Sequence, residues 1–436
     1  MSVIGNGIYI GGSGGGGGGS GETEDALVMR TISQYTNSRV SYIGSYAFYL
    51  CSTLTSAAFP ACKIIENHAF AYCSGLESIS FPACESIAVL AFDRCGKLTS
   101  ANFPACTSIG ASAFSTCFSL ATAVFPVCTT IETSAFGGDG KLTSISFPSC
   151  TTIGNYAFYG CSRLTSANFP SCTSIGSFAF MSCSSLTSAS FSVCTSIGAS
   201  AFQDCFRLTS INFPLCTNIG SYAFLNCNIL SSASFPVCTS IGTGAFQHCI
   251  ALSSASFPVC TSIGSIAFRQ CSALTSVSFP VCTSIAASAF LDCSRLTSIS
   301  FPVCTTISDY TFCNCGSLTS ANFPLCTNIR SSAFQNCSSL TSVYFPSCTQ
   351  IGSNAFYSCF NLLSVYLLGS SVATLVHSKT FTSTPIAGYT ASTGGVYGSI
   401  FVRASLLAEW QSKQNWSYFS SRFVGMTDAE IEALGG

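Results

Sequence analysis

The hydrophobic positions of this chain repeat every 22 residues in one fixed register. Leu recurs fifteen times from Leu54 to Leu362, and Ile43 and Phe48 each begin a further series of fifteen. Thirteen of the 14 prolines follow Phe on the same lattice. A fixed period of this length is typical of a repeat protein, in which each unit packs on its neighbours. The pattern therefore predicts one small unit repeated about fifteen times over residues 43–367.

The order of residues inside one unit predicts a strand followed by a turn. Residues 164–185 have the sequence LTSANFPSCTSIGSFAFMSCSS, in which Leu, Ala and Phe lie among polar residues. Spacing of this kind favours a half-buried strand, and the proline that follows Phe has no N–H with which to continue it. Ile175 and Phe180 supply the buried positions of the second half. We therefore expect a β-rich solenoid, continuous and right-handed, of about fifteen 22-residue coils with small caps at both ends.

Cysteine falls at every eleventh residue of this array. One series runs from Cys62 to Cys348 and the other from Cys51 to Cys359, with Asp139 in place of one member and Cys313 additional. Three histidines are too few for a zinc array, and a catalytic thiol needs an activating base. We expect the cysteines to be small buried hydrophobes with reduced thiols, with disulfides between coils, metal binding and catalysis as alternatives. Folding of so many thiols favours a reducing cytoplasm or an anaerobic organism.

Segments such as FPSCTTIGNYAFYGCSRLTSANFP, residues 147–170, resemble the BspA-type leucine-rich repeats of bacterial surface proteins. The opening of each unit, L-x-x-Φ-x-F, is similar to the L-x-x-L-x-L pattern of leucine-rich repeats, and the likeness extends over residues 43–367. Residues 398–425 are similar to tails that follow such arrays in bacterial and prophage-encoded proteins. The resemblance implies a leucine-rich-repeat solenoid with a surface or adhesion role.

The segments before the array predict a tethered strand. Residues 11–21, GGSGGGGGGSG, are typical of a flexible linker, and residues 22–42 are expected to cap the first coil. Residues 1–10 are apolar enough for one short strand that docks on another copy or on a virion partner. The candidate docking strand contains Val3, Ile4, Ile8 and Ile10.

Residues 368–436 leave the lattice and are expected to form a C-terminal capping module. A short helix is expected over residues 405–414. Thr427 and Glu430 have the spacing of a capping box, which predicts a last helix that begins at this point.

Four aromatic side chains are candidate contacts for a ligand. Tyr344 and Tyr366 are the aromatic residues among the rows of Ser, Thr and Asn that the strands are expected to expose. Trp410 and Trp416 belong to the capping module, and two roles stay open for them. They pack in the core of the cap, or they stack sugar rings on their faces.

The units differ most in the residues around the second cysteine of each unit. Charged residues concentrate there, so any recognition that depends on particular side chains would use this edge; a tolerant turn with solvated charges is the alternative. The candidate recognition edge consists of Asp93, Arg94, Arg163, Asp204, Arg207, His248, Arg269, Asp292 and Arg295.

Composition narrows the classes of function. The chain is 48% hydrophobic and 7% charged, but it lacks the run of about 18 apolar residues that a membrane-spanning helix needs. With 15 basic and 16 acidic residues, it has no basic surface for nucleic acid. No catalytic constellation, cofactor motif or metal cluster stands out from the repeats, so we do not expect an enzyme. The first residues show no Sec signal.

Together these features favour a non-catalytic recognition or adhesion protein with a long neutral repeat surface. We expect it to be extracellular, on a cell surface, or associated with a phage particle, and to bind a protein or a glycan. The alternative is a structural subunit that polymerises through its N-terminal strand into an extracellular filament or appendage.

Overall fold

The computed structural model describes residues 32–434 of the 436-residue chain. These residues divide into two compact units, with the boundary between Pro214 and Leu215. Both units are built from the same coil. A long strand is followed by a tight turn at proline, a short strand, and a six-residue turn that leads back to the next long strand.

The alternation of polar and apolar residues explains the long strands. In Ser166–Asn168 the two outer residues are exposed, and the central Ala167 faces the interior. Phe169 is buried at the end of the strand, and Pro170 begins the turn because it has no N–H to donate. The short strand Ser174–Ile175 then directs Ile175 inward. The predicted inward and outward positions are therefore confirmed.

In the first unit, parallel pairing places each strand residue opposite the residue 22 positions later, as in Ser166 with Ser188. The long strands are Gln34–Thr36, Ser56–Ala58, Ser78–Ser80, Ser100–Asn102, Thr122–Val124, Ser144–Ser146, Ser166–Asn168, Ser188–Ser190 and Ser210–Asn212. The short strands are Tyr42–Ile43, Ile64–Ile65, Ser86–Ile87, Ser108–Ile109, Thr130–Ile131, Thr152–Ile153, Ser174–Ile175 and Ser196–Ile197.

The second unit repeats this register, as in Ser254 with Ser276. Its long strands are Ser232–Ser234, Ser254–Ser256, Ser276–Ser278, Ser298–Ser300, Ser320–Asn322, Ser342–Tyr344 and Ser364–Leu367. Its short strands are Asn218–Ile219, Ser240–Ile241, Ser262–Ile263, Ser284–Ile285, Thr306–Ile307, Asn328–Ile329, Gln350–Ile351 and Thr374–Leu375. The predicted β-rich solenoid of 22-residue coils is confirmed.

Two columns of phenylalanine fill the interior of the coils. Phe158 lies face to face on Phe180, with ring centroids 5.1 Å apart, and Phe169 lies on Phe191 at 5.4 Å. The two columns meet edge to face, as in Phe169 with Phe180. The separation within a column is close to the spacing of neighbouring strands, about 4.8 Å, so rings at identical positions of the repeat stack.

The cysteines share the buried interior with these columns. All 29 are free thiols in buried positions, as predicted. Cys172 donates its thiol hydrogen to the carbonyl of Ser174 in its own coil, and Cys183 donates to Phe158 of the preceding coil. The thiols are therefore hydrogen-bond donors as well as small hydrophobes, a role that the sequence alone did not indicate.

The parallel ladder extends into both predicted capping segments. Gln34–Thr36, inside the segment 22–42, pairs with Ser56–Ala58 as a full member of the ladder. In the C-terminal module, Ser399–Arg403 pairs with Ser364–Leu367, and Phe423–Met426 adds a further strand.

Short helices complete the C-terminal module. Phe381, in the first of them, stacks on Phe356 of the last repeat at 5.5 Å. The expected helix over 405–414 is confirmed as Leu407–Ser412, and the Thr427–Glu430 capping box is present at the start of the last helix. The 3₁₀ helices are Ser378–Phe381, Pro385–Ala387, Ala391–Thr393, Ala404–Leu406 and Ser417–Arg422, and the α-helices are Leu407–Ser412 and Asp428–Ala433.

Candidate functional site

The variable residues of the coils come together on the six-residue turns, which we call the turn edge. In one coil this turn is formed by residues 177–182. Its first variable position, Phe178, and its last, Ser182, both have positive φ angles, near 60°. The same two positions are left-handed in all fifteen turns, eight in the first unit and seven in the second. We call these positions the first and second left-handed rows.

Hydrogen bonds between coils hold the turns in this conformation. Phe178 N donates to Ala199 O, Phe180 N to Ala201 O and Ser182 N to Gln203 O, all in the next coil. A left-handed residue other than glycine costs about 1–2 kcal/mol, and these bonds offset that cost because every second N–H of the turn has a partner. The turn edge is thus a rigid ladder that accepts many different side chains.

The candidate residues of the first unit do not form one cluster. Asp93 is largely buried, and the Nε of exposed Arg94 lies 3.6 Å from its carboxylate. Burial raises the pKa of Asp93, and the Arg94 charge opposes this shift. Arg163 and Arg207 are exposed beyond the second cysteine of their coils. Asp204, in the second left-handed row, accepts a hydrogen bond from Gln203.

In the second unit, the second left-handed row is a ladder of polar side chains. His248 Nδ1 lies 3.0 Å from Asn226 Oδ1, and Asn314 donates to the Asp292 carboxylate at 2.7 Å. Asn336 in turn donates to Asn314 at 2.8 Å. Two of the predicted residues, His248 and Asp292, therefore belong to this row.

The remaining two candidates of the second unit lie beside that ladder. Arg269 occupies the position before the second left-handed row, and its Nε is buried without a hydrogen-bond partner. Arg295 is exposed beyond the second cysteine. The candidate residues thus share an edge of the coil rather than a single binding pocket.

Aromatic clusters on the turn edge of the first unit were missed by the sequence argument. Tyr46 stacks on His68 with ring centroids 4.6 Å apart, and Tyr49 packs edge to face on Tyr72. The Arg94 guanidinium lies 5.1 Å from the centre of the Tyr72 ring. The signal was present in the sequence as aromatic residues 22 or 23 positions apart on variable sites, but only the ring geometry shows that they touch.

A second aromatic cluster begins five coils after Tyr46 in the same unit. Tyr156 stacks on Phe178 at 4.6 Å, and Tyr159 packs against Tyr156 at 5.9 Å. Both tyrosines are exposed. Aromatic residues and Arg are the residue types enriched in the binding surfaces of proteins, so these clusters are stronger candidates than the scattered charges.

The structure separates the four candidate aromatic contacts into a buried pair and a partly exposed pair. Trp410 and Trp416 are buried in the C-terminal module, where their rings pack edge to face at 5.0 Å, so their faces are not accessible to a sugar. Tyr344 and Tyr366 are only half-buried on the long strands. Tyr366, however, is stacked on Phe401 at 4.5 Å, which covers one face of its ring.

The buried thiols have raised pKa values, whereas an activated nucleophile has a lowered one. Burial raises the pKa of the Cys62 thiol to about 11 and that of Cys106 to about 12. Among residues 32–434, no group of three or more His, Cys, Asp and Glu side chains is placed to hold a metal ion. The same residues include no helix that is both long and apolar enough to cross a membrane. The candidate docking strand, Val3 to Ile10, lies outside the described residues.

The coils of this chain match a known family of repeats. Residues 31–139, 129–253 and 261–387 match the BspA type Leucine rich repeat region, in six copies. Among solved structures, a leucine-rich repeat protein from Bacteroides ovatus is 27% identical and has a TM-score of 0.57, over 77% of this chain and 87% of its own.

Two further solved structures are similar over smaller shares of this chain. A leucine rich cell surface protein from Faecalibacterium prausnitzii is 27% identical, with a TM-score of 0.35 over 56% of this chain and 78% of its own. A leucine-rich repeat protein of T. pallidum is 25% identical, with a TM-score of 0.30 over 41% and 78%. No curated protein matches the chain. Because the matching segments cover most of the sequence, the chain belongs to the family of BspA-type leucine-rich repeat proteins.

Proposed function

We propose that this protein is a non-catalytic recognition and adhesion protein that binds a protein or glycan partner with its turn edge. The observation that carries the proposal is the difference in residue variation between the interior of the coils and the turn edge. The interior repeats Leu, Ile, Phe and Cys in nearly every coil, whereas the turn edge varies and gathers tyrosine and arginine into exposed clusters. A rigid backbone with variable side chains lowers the entropy cost of binding.

Display outside the cell is part of this proposal. The matched repeat family and a solved relative described as a cell surface protein support a location on a cell surface. The free thiols support folding in a reducing cytoplasm before release, which fits a phage particle as well as a cell surface.

The proposal is tested by blocking the turn edge with a bulky group. Because the native cysteines are buried, a new surface cysteine can be modified selectively. Met181→Cys places a thiol on the turn edge, and Ser166→Cys places one on an exposed long strand of the same unit. Each variant is coupled to a polyethylene glycol maleimide, and binding to a panel of bacterial and epithelial cells is measured by flow cytometry.

We expect the unmodified protein to bind at least one cell type, and modification at residue 181 to weaken this binding by about tenfold or more. Modification at residue 166 should change binding less than about twofold. The proposal is wrong if the unmodified protein binds none of the cells, or if the two modified variants lose binding equally.

A structural subunit that polymerises is the alternative. The observation that favours it is a small hollow at the N-terminal end of the first unit, lined by Tyr35, Val40, Ile43, Phe48 and Phe59. Analytical ultracentrifugation separates the two functions. A monomer supports recognition, and open-ended polymers that disappear when residues 1–21 are removed support the structural subunit.

A further inference from the structure

On the turn edge of the first unit, two successive coils with small side chains lie between coils with large ones, and we call this stretch the aromatic cleft. Arg94 forms one wall, and Tyr156 and Tyr159 form the other. The walls are three coils apart, or about 14 Å at the spacing of parallel strands. Phe118 stands at the margin with 61% of its surface exposed. The floor consists of Ser112, Ser115, Thr116, Ser134, Gly137 and Gly138.

The Tyr156 ring offers a flat face to this cleft. Its other face is covered by Phe178, whose ring is stacked on it at 4.6 Å with the planes only 8° apart. The next coil on the cleft side carries Ser134 at the same position of the repeat, and Ser134 N donates to Asn155 O beside Tyr156. A serine is too small to cover the ring, and 38% of the Tyr156 surface is exposed.

The fold does not require a small residue at every position of the floor. A Cβ on Gly137 would approach its nearest neighbour, Ser134 O, at 3.4 Å, which is ordinary van der Waals contact, and the backbone there is not left-handed. Other coils carry Tyr159, Met181 and Gln203 at the same position. A side chain is therefore compatible with the backbone at residue 137, and its absence keeps the cleft open.

The chemistry of the cleft is that of a site for a neutral polar molecule with an apolar face. All the floor residues are uncharged, and the one charged wall residue, Arg94, is paired at 3.6 Å with Asp93, whose carboxylate also accepts from Thr116 at 3.4 Å. Ser115 donates to Gly137 O at 3.3 Å and Thr116 donates to Ser115 O at 2.7 Å, so both hydroxyls keep lone pairs that accept hydrogen bonds from a ligand. A peptide anchor would instead need a deep apolar pocket, which a floor of hydroxyls and backbone does not provide.

We propose that the aromatic cleft binds a neutral saccharide chain, with the apolar face of one sugar ring on Tyr156 and sugar hydroxyls on the serine and threonine floor. Stacking removes apolar surface of both partners from water, and the fixed ring makes the contact preorganised. This inference rests on the proposed recognition function and assigns it a site and a ligand class.

The decisive variant is Ser134→Tyr, which extends the aromatic stack by one coil and covers the free face of Tyr156. The variant should fold, because Tyr156, Tyr222 and Tyr310 already occupy this left-handed position in other coils. Ser288→Tyr is the matched control. Residue 288 is in the same row of the second unit, one coil before Tyr310, so the new ring stacks in the same way but away from the cleft.

Binding is measured by isothermal titration with neutral hexasaccharides of glucose, mannose, galactose, xylose and N-acetylglucosamine, and with sulfated and uronic acid oligomers for comparison. We expect at least one neutral hexasaccharide to bind with a Kd of about 1 mM or tighter. Ser134→Tyr should weaken that binding by about tenfold or more, and Ser288→Tyr should leave it within about twofold.

The inference is overturned if no neutral hexasaccharide binds, if only the charged oligomers bind, or if Ser134→Tyr binds as well as the wild type. Circular dichroism of both variants confirms that any loss is not unfolding. The cell-binding assay distinguishes the two proposals. Cell binding by a wild-type protein that binds no neutral hexasaccharide rejects the cleft and leaves the recognition function standing, whereas absence of cell binding by the wild type rejects the recognition function itself.

Discussion

Asp139 occupies the one position of the second cysteine row that is not cysteine. In neighbouring coils, the thiol at this position donates to a phenylalanine carbonyl of the preceding coil, as Cys117 does to Phe92 and Cys161 to Phe136. Asp139 is fully buried, and both of its carboxyl oxygens lack a hydrogen-bond partner. Burial raises its pKa well above the usual range, opposed by the backbone of Cys117 and reinforced by the Asp93 charge. The burial of Asp139 therefore favours the neutral acid over the carboxylate in the folded protein.

We predict that Asp139→Cys stabilises the protein at pH 7 and that this gain shrinks as the pH falls. The unfolded chain releases the Asp139 proton above a pKa of about 3.9, whereas the folded chain retains it. The unfolded state thus binds fewer protons, and wild-type stability falls by up to about 1.4 kcal/mol per pH unit between the unfolded and the raised folded pKa. Urea unfolding of both proteins from pH 4 to pH 8 measures this difference.

The control for this prediction is Glu85→Gln, which neutralises a carboxylate on the surface of the same unit. Glu85 pairs with Lys63 at 2.9 Å, with more than half of each side chain exposed, so its loss should cost less than about 1 kcal/mol. A gain from Asp139→Cys that is equal at pH 4 and pH 8 would contradict a buried neutral acid.

At the scale of elements, the C-terminal module ends the solenoid by continuing its phenylalanine column and its hydrogen bonds between coils. The ring of Phe381 extends a phenylalanine column, and Thr380 and Thr382 accept backbone hydrogen bonds from Phe356 and Ser358, as the next coil would. Trp416 then covers Phe381 and donates from its indole nitrogen to Ala373 O at 2.8 Å. The cap thus supplies the partners that a further coil would have supplied.

We predict that Trp416→Ala lowers the free energy of unfolding of the second unit by about 3–5 kcal/mol, because it leaves a large cavity over the last coil. Tyr418→Ala is the control, since 74% of that side chain is exposed and its loss should change stability by less than about 0.5 kcal/mol. Thermal and urea unfolding followed by circular dichroism measure both changes. Equal effects of the two substitutions would refute a core role for Trp416.

At the scale of the whole molecule, the chain combines 29 buried thiols with a surface of few charges. The thiolate is the reactive form of cysteine, and burial raises the thiol pKa, for example to about 12 for Cys238 and Cys326. The thiols are therefore protected by the same packing that holds the coils together. Loss of that packing would expose them together.

We predict that a thiol reagent at pH 8 reacts with few cysteines in the native protein and with close to all 29 after denaturation without a reducing agent. The low thiolate fraction and the closed interior both slow the native reaction. Titration with an aromatic disulfide reagent in the presence and absence of guanidinium measures the two counts. A denatured count far below 29 would indicate disulfides, and rapid reaction of the native protein would contradict the buried positions.

Much of the fold follows from the 22-residue period alone. A residue type that recurs in fixed register must face a repeated environment, which is why the inward direction of Leu, Ile, Phe and Cys was predictable. Pro after Phe marked the end of each long strand, and Thr427 with Glu430 marked the start of the last helix. These signals are local or strictly periodic, so they can be recognised in the sequence without knowledge of three-dimensional contacts.

The candidate site was predicted only as an edge of the coil. The conformation of the turns decided the rest. Two left-handed positions in each of the fifteen turns set the directions of the variable side chains, and coil stacking places residues 22 apart in contact, as in Tyr156 with Phe178. The free face of Tyr156 and the burial of Trp416 depend on what lies in the adjacent coil or beneath the cap. The sequence by itself thus determined the repeat, its buried residues and its edge. The tertiary structure decided which edge residues form a surface, because ring stacking and exposure are properties of neighbouring coils and not of one unit.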